Sequence, residues 1–521
     1  MSPPTEGPEA LTLAERFSKF NPMIVFITFY MALASFNFGF DVGTFGGVQG
    51  MQPFAKRFGE WDERANMYAL PAYLSSIMTA TPFLGKLVGV IGCGPLAERW
   101  GRKVALLVLA VISLVGCTLQ TSAHSAAQFT VGRIVNFATT GMCIVVVPIY
   151  QAECAPRELR GLIGSTLQLT ISLGGLVASL VNLGTRTIKS DASWLIPTGL
   201  QLVVPLVILV LLPFLPESPR WLLSKGRTDE ALRSLKHLRG KKANEESIQA
   251  EVDTILAASA SKGKGSWAEV FNQKNRRQTG VAVLAMFGQQ ITGQAFLSQY
   301  SVIFFQRYGF AQQAFLLSVI SSVLGMAAII ATWFFLDSVG RRPILLVGGS
   351  LMSVFLFIVG AIGSVSVPPR AAQVAMVASL MLFGVMFALS WAPISYVVMA
   401  ECSSPRVKEK TSLLASSISV VTTFVTSFTL PYLLNPPYAA LGGRVGYIYG
   451  STCLACAVLA FFYIPELKGR SLEEVDQLFA MGIPPRKFIG VAVPSTAAGS
   501  EDEITKTSVV ASREPGEKTS V

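Results

Sequence analysis

The chain has 521 residues, 51% of them hydrophobic and 14% charged, against about 25% charged in an average soluble protein. This composition excludes the two or three soluble domains that the length alone would suggest and predicts a chain that lives in a bilayer. The formal net charge of +11 does not mark a nucleic-acid binder, because Lys and Arg gather in the loops on one side of the apolar segments, as they do on the cytoplasmic side of membrane proteins.

In chain order, residues 1–20 are polar and carry Pro3, Pro4 and Pro8, with no secretory signal pattern. The first apolar segment is therefore read as a retained span. Twelve spans are predicted, at about 22–44, 67–91, 104–123, 126–150, 160–184, 194–215, 279–302, 312–336, 343–366, 373–399, 411–433 and 446–464, each long enough to cross a bilayer as a helix. The expected fold class is an all-α membrane protein with two six-helix halves, both termini cytoplasmic. Its parts are a cytoplasmic N-terminal tail (1–20), a first bundle (21–215), a cytoplasmic helical linker (216–278), a second bundle (279–480) and a disordered cytoplasmic tail (481–521). In the linker, residues 229–240 and 245–259 repeat their apolar positions at helical spacing. The tail is rich in Ser, Thr, Glu and Lys and poor in apolar residues.

Three motif pairs reveal an internal repeat. GPLAERWGRK (94–103) pairs with LDSVGRRP (336–343), YQAECAPRELRG (150–161) with AECSSPRVKEK (400–410), and LPESPRWLL (215–223) with IPELKGRSLEE (464–474). Gly101 and Gly340 are 239 residues apart, Glu153 and Glu401 are 248 apart, and Glu217 and Glu466 are 249 apart. Two halves in parallel orientation are the plan of a transporter with its site at the midplane between them. The motifs place acids and arginines together at helix ends, where bidentate pairs give directional contacts. Glu98, Arg99, Arg102, Glu153, Arg160, Glu217 and Arg220 in the first half, with Asp337, Arg341, Arg342, Glu401, Arg406 and Glu466 in the second, are expected to act as a cytoplasmic latch between the bundles.

Asp41, in NFGFDVG (37–43), is the one acid in the first span. A charge at that depth is costly and is kept for a partner or a function. Arg133 is the one Arg inside any span, and Lys86 is the other cation there. Gln289 and Gln290 sit in an apolar stretch, FGQQITGQAFLSQYS (287–301), where amides seek partners and offer both donors and acceptors. The seven cysteines show no CxxC spacing; Cys453 and Cys456 form a CxxxC and read as small apolar residues in a helix. The two histidines, His124 and His237, lie in or near loops, and no nucleophile motif is present. No enzyme, cofactor or metal is expected.

These motifs resemble the sugar porter family of the major facilitator superfamily over about residues 20–480, with a likeness to fungal hexose transporters. GPLAERWGRK, PIYQAECAPRELRG (148–161), PESPRWLL (216–223), DSVGRRP (337–343) and PELKGRSLEE (465–474) carry it. The resemblance implies alternating access by rocking of the two halves. It implies sugar binding by Gln168, Gln289 and Gln290, with Tyr300, Phe38 and Tyr396 beside the sugar, and a proton-coupling pair of Asp41 with Arg133. Departures fall in the site: Ala295, Ser419 and Thr423 stand where family members carry Asn, Gln299 stands for a Tyr, and Tyr396 closes the Ala392-Pro393-Ile394-Ser395 segment where a Trp is usual. The implied function is import of a monosaccharide, such as the hexose glucose, across the plasma membrane by a monomer whose partners are the sugar, protons and the lipid bilayer. Two alternatives stay open: a passive sugar facilitator, and a transporter-like sugar sensor. The tail after Ala480 is short for the second.

Overall fold

The computed structural model describes residues 21–63, 67–155, 160–239, 245–261, 265–273, 275–404, 406–470 and 472–491. The expected N-terminal tail and residues 492–521 of the expected disordered tail lie outside the described residues.

Among the described residues, eleven helices are long and apolar enough to cross a membrane: Pro22–Val48, Ala72–Trp100, Arg102–Thr121, Ala126–Cys154, Thr166–Thr185, Ala192–Phe214, Ala314–Phe335, Arg341–Gly363, Arg370–Cys402, Lys408–Leu434 and Gly442–Tyr463. Local chemistry sets their ends. Asn21 caps the first helix by accepting a hydrogen bond from Met23 N at 3.4 Å, and Pro22 occupies the first turn, where its missing N–H costs nothing. The seventh expected span, 279–302, is not one helix. It divides into Arg276–Ile291 and Gln294–Phe305 around Gly293, whose φ is 93°. That conformation is open to glycine and strained for other residues. The carbonyls released at the break are reclaimed by the last span: Thr452 Oγ1 donates to Ile291 O at 3.0 Å, and Cys453 Sγ to Thr292 O at 3.3 Å.

The tenth span is also jointed, with helices Arg370–Leu389 and Trp391–Cys402 meeting at Ser390. Pro393 has no N–H to give Leu389 O four residues earlier. Thr332 Oγ1, from the eighth span, donates to that carbonyl instead at 3.2 Å.

Close helix packing builds the halves. The first and fifth spans touch at Gly39, where an added Cβ would stand 1.8 Å from Ile171 O. In the first half a buried core runs through Tyr30, Met31, Leu106, Val146 and Tyr150. A second core joins the later spans through Phe296, Leu356, Phe383, Trp391 and Tyr449.

The internal repeat is visible as matching geometry. In the first half, Arg102 forms a bidentate pair with Glu153 at 2.6 and 2.8 Å, and Glu217 accepts the backbone N–H groups of Arg102 and Lys103 at 3.0 and 3.1 Å. In the second, Arg341 pairs with Glu401 at 3.1 and 3.2 Å, and Glu466 accepts the N–H groups of Arg341 and Arg342 at 2.9 and 3.1 Å. Each carboxylate thus sits on the open N-terminus of a spanning helix, where the helix dipole favours negative charge. Gly101 and Gly340 precede those helices with φ of 100° and 102°.

The linker is fastened at both ends. Trp221 Nε1 donates to Glu98 O at 2.9 Å, and Arg239 Nη1 donates to Cys154 O at 3.1 Å, so helices Pro219–Ser224 and Thr228–Arg239 lie on the first half. Helix Glu245–Ser261 follows and joins them through the Arg239–Glu251 pair. Near the second half, Ser266 and Glu269 cap the short helix Trp267–Phe271. The backbone N–H of Ser266 holds the Glu269 carboxyl below its ordinary range. Lys410 Nζ donates to Gly265 O at 2.6 Å.

Two features depart from the sequence expectation. Residues Glu60–Asp62 and Met67–Ala69, the latter expected to begin the second span, pair as a small antiparallel hairpin. Residues 481–491, expected to open the disordered tail, hold structure: Pro485–Gly490 form a 3-10 turn, and Phe488 is buried against Phe479 with ring centroids 5.1 Å apart. Phe488 supplies the apolar anchor that a compositional reading of the polar tail passes over.

Candidate functional site

Hydrogen bonds join the two halves at the face opposite the repeated motifs. Gln306 Nε2 donates to Gly50 O at 3.1 Å, Ser76 Oγ to Phe428 O at 2.9 Å, and the Ser179 and Ser322 hydroxyls meet at 3.2 Å. Gln49 Nε2 donates to Gln299 O, and Arg186 Nη1 to Gln312 O. Apolar packing also joins the halves, with Phe83, Val90 and Phe137 of the first in one cluster with Val420 of the second.

The expected latch closes in one state and opens in the other, and in this conformation the pairs seen lie within each half. Arg102 and Glu153 pair within the first half, and Arg341 and Glu401 within the second. Glu217 and Glu466 each serve a helix end in their own half. Arg99 lies exposed over the Trp100 ring, and Arg220 is exposed. Arg342 donates to Phe461 O at 2.8 Å. Arg406 approaches Glu269 of the linker at 3.8 Å, and Glu98 accepts Trp221 through its carbonyl. The side chains of Arg160 and Asp337 lie outside the described residues.

Asp41 is 1% exposed, and neither carboxylate oxygen has a hydrogen-bond partner. The groups acting on it are Arg133, Asn136 and Gln201. Arg133 is fully buried but does not form an ion pair with Asp41 within 4 Å. Its Nη1 donates to Met78 O at 2.9 Å, and its guanidinium lies 3.6 Å from the Phe45 ring centroid. The direct pair expected from the sequence is thus not formed in this conformation, because a backbone carbonyl and an aromatic face hold the guanidinium.

A buried polar network surrounds the acid. Asn37, one helical turn before Asp41, donates to Ser113 Oγ at 3.1 Å; Ser113 donates to Asn136 Oδ1 at 2.9 Å; and Asn136 Nδ2 reaches Gln201 Oε1 at 3.5 Å. Sequence reasoning missed these four residues. The signal was present for two of them: Asn37 lies in NFGFDVG, and Asn136 lies one turn beyond Arg133 in FTVGRIVNF.

Tyr300 projects from the second half toward this cluster. It is buried, and Ser75, Thr79 and Arg133 are the first-half groups that act on its hydroxyl. Gln289 is buried, and its Nε2 donates to Ala392 O at 2.7 Å, in the jointed tenth span. Gln290 is half-buried and donates to Gln289 Oε1 at 2.9 Å. Gln168 is half-buried on the fifth span, with no hydrogen bond to another described residue. Tyr396 packs against the cluster of Ala282, Met286 and Ala415. Phe38 is half-buried and has Lys86 Nζ 4.6 Å from its ring centroid. A cavity of about 610 Å³ opens between the halves at the face opposite the motifs; Gly50, Lys56, Arg186, Lys189, Gln306 and Phe315 are among its lining residues. It holds none of the expected sugar-site residues.

Among the described residues, no group of three or more His, Cys, Asp or Glu side chains is placed to hold a metal.

Comparison with known proteins gives consistent findings. A family profile described as "Sugar (and other) transporter" matches residues 27–479. The low-affinity glucose transporter HXT1 of Saccharomyces cerevisiae is 31% identical over 477 residues, covering 88% of this chain and 82% of the relative. The high-affinity gluconate transporter ght3 of Schizosaccharomyces pombe is 30% identical over 468 residues, covering 88% and 83%. Among solved structures, an inward-open conformation of the Escherichia coli xylose transporter XylE superposes with a TM-score of 0.72 at 22% identity, covering 87% of this chain and 99% of that one. The shared architecture is the major facilitator fold.

Proposed function

The chain belongs to the sugar (and other) transporter family, and from that premise we propose that it imports a monosaccharide of the hexose class by alternating access, coupled to protons through Asp41 and Arg133. It is a multi-pass membrane transporter and not an enzyme. The plasma membrane is the proposed location, with the motif-bearing face cytoplasmic. Relatives named for glucose and fructose support the substrate class.

The observation that carries the coupling is Asp41: a carboxyl sealed inside a span, without a hydrogen bond, beside an arginine engaged elsewhere. Ionised and unpaired, such a group is strongly disfavoured at that depth. In the proposed cycle Asp41 holds a proton while the far face is closed. When the halves rock and Tyr300 leaves the cluster, Arg133 exchanges Met78 O for the carboxylate. The amides of Gln168 and Gln290 hold the sugar across the seam that moves.

The experiment is uptake of a panel of radiolabelled sugars in transporter-null cells, with and without a protonophore, for the native protein and Asp41→Asn. The native protein is expected to concentrate sugar at acid outside pH and to lose that with the protonophore. Asp41→Asn is expected to bind sugar without concentrating it. Accumulation against a gradient by Asp41→Asn would exclude the coupling role.

A further inference from the structure

Among the described residues, Asp41, Arg133 and Lys86 are the Asp, Glu, Lys or Arg side chains deep in the spans of the first half, and one of the three is an acid. Asp41 is acted on by Arg133. Lys86, on the second span, is left over. It forms no hydrogen bond or ion pair with any described residue, and the titratable group acting on it is a thiol, Cys143, not a carboxylate. The interior therefore carries a cation with no fixed counter-charge, a costly arrangement inside a bilayer unless something balances it.

The direction of Lys86 shows where the balance would come from. On its helix, Gly85 and Gly89 pack against Ile134 O and Ala138 O of the fourth span. Phe83 and Val90, with Leu87 beside them, pack with Val420 of the eleventh span. Leu84, Val88 and Ile91 are exposed on the outer surface. At 100° per residue, position 86 falls between the side facing the fourth span and the side facing the eleventh, away from the outer surface. Lys86 thus points toward the seam of the two halves, where its Nζ meets the half-buried Phe38 ring. A cation–aromatic contact alone is a weak counterweight for a half-buried ammonium within the spans.

The far-face cavity has the same sign. Its lining includes Lys56, Arg186 and Lys189 and no Asp or Glu. A cleft of one charge sign focuses oppositely charged solutes.

We infer that the transported monosaccharide is an acid: a hexose-sized polyhydroxy monocarboxylate whose carboxylate binds Lys86 while the glutamine amides take its hydroxyls. The inference rests on the reading of the seam as the transport site. A monoanion carried with the single proton of Asp41 crosses without net charge, whereas a neutral sugar carried with that proton moves one positive charge per cycle.

The test measures binding of glucose, gluconate, glucuronate and galacturonate to the purified full-length protein, and the current that accompanies uptake in proteoliposomes. The native protein is expected to bind at least one of the acids about tenfold or more tightly than glucose, the size of a charge-assisted hydrogen bond, and to carry it without current. Lys86→Met is expected to bring the acid-to-glucose ratio down to about one, and Lys86→Arg to retain the preference. The native ratio is read without any variant, and Lys86→Gln serves if the Met variant does not fold. Binding of glucose with no preference for any acid would overturn the inference and leave the transport site standing, as would an acid preference that survives in Lys86→Met. Binding of neither class would overturn the site reading itself.

Discussion

Gln289 and Gln290 are neighbours with different employment. The Gln289 amide is spent on the protein, donating to Ala392 O and accepting from Gln290, so it ties the broken seventh span to the jointed tenth. Gln290 is half-buried and keeps hydrogen-bonding capacity for a ligand. Replacing Gln289 by Ala leaves buried partners unpaired, at about 1–3 kcal/mol. It should lower the melting temperature of the detergent-solubilised protein as well as weaken binding. Gln290→Ala should weaken sugar binding about 5- to 100-fold with the melting temperature nearly unchanged. Equal thermal loss in both variants would show that the two amides share one structural role. The sequence marks both positions as polar in an apolar helix, but it does not show which amide is already taken. That depends on Pro393 and Ser390, which open the tenth span a hundred residues away. Asp41 was legible for the opposite reason: an isolated acid in an apolar run needs no tertiary information to stand out. Its surroundings were less so, since Ser113 and Gln201 come from distant spans and are ordinary residues until the bundle folds.

At the scale of elements, apolar run length finds the spanning helices and misses the divisions of the seventh and the tenth. A hydropathy window sees continuous apolar content across 279–302 and is blind to backbone conformation. The break resides in Gly293, whose positive φ ends one helix and begins the next, and whose missing side chain admits the Tyr449 ring; a Cβ there would lie 2.9 Å from Tyr449 Cγ. Gly293→Ala should therefore destabilise the protein by at least the roughly 1–2 kcal/mol of a left-handed residue with a side chain. Gly280, on the same span in open space, is the control: Gly280→Ala should be neutral or stabilising by up to about 1 kcal/mol. Thermal melts of the two variants in one detergent check the contrast, and equal melts would mean that the break is not held by the glycine. The repeated motifs show a related limit. Their spacing reveals two equivalent halves, and the matching Arg102–Glu153 and Arg341–Glu401 pairs bear out that equivalence. Spacing does not say whether a pair closes within a half or between halves, because both require the same residues.

For the whole molecule, the asymmetry of the seam is the informative property. Polar contacts join the halves at the face opposite the motifs, while the Arg102–Glu153 and Arg341–Glu401 pairs each close within one half. Rocking then requires the far-face contacts to break, and Ser179 and Ser322 are placed to test this. They lie on the fifth and eighth spans with their hydroxyls 3.2 Å apart, a separation compatible with side chains that a disulfide can join when the Cβ atoms are about 3.5–4.5 Å apart. In the double variant Ser179→Cys, Ser322→Cys, oxidation should lock the far face and stop transport, and reduction should restore it. The seven native cysteines are all buried, which limits competing cross-links, and each single variant controls for them. The locked protein should still bind substrate, since the cross-link holds a conformation the molecule already adopts and leaves the motif-bearing face free of added links. Undiminished transport by fully cross-linked protein would mean that these two spans do not separate during the cycle, and the rocking axis would have to keep the fifth and eighth spans together.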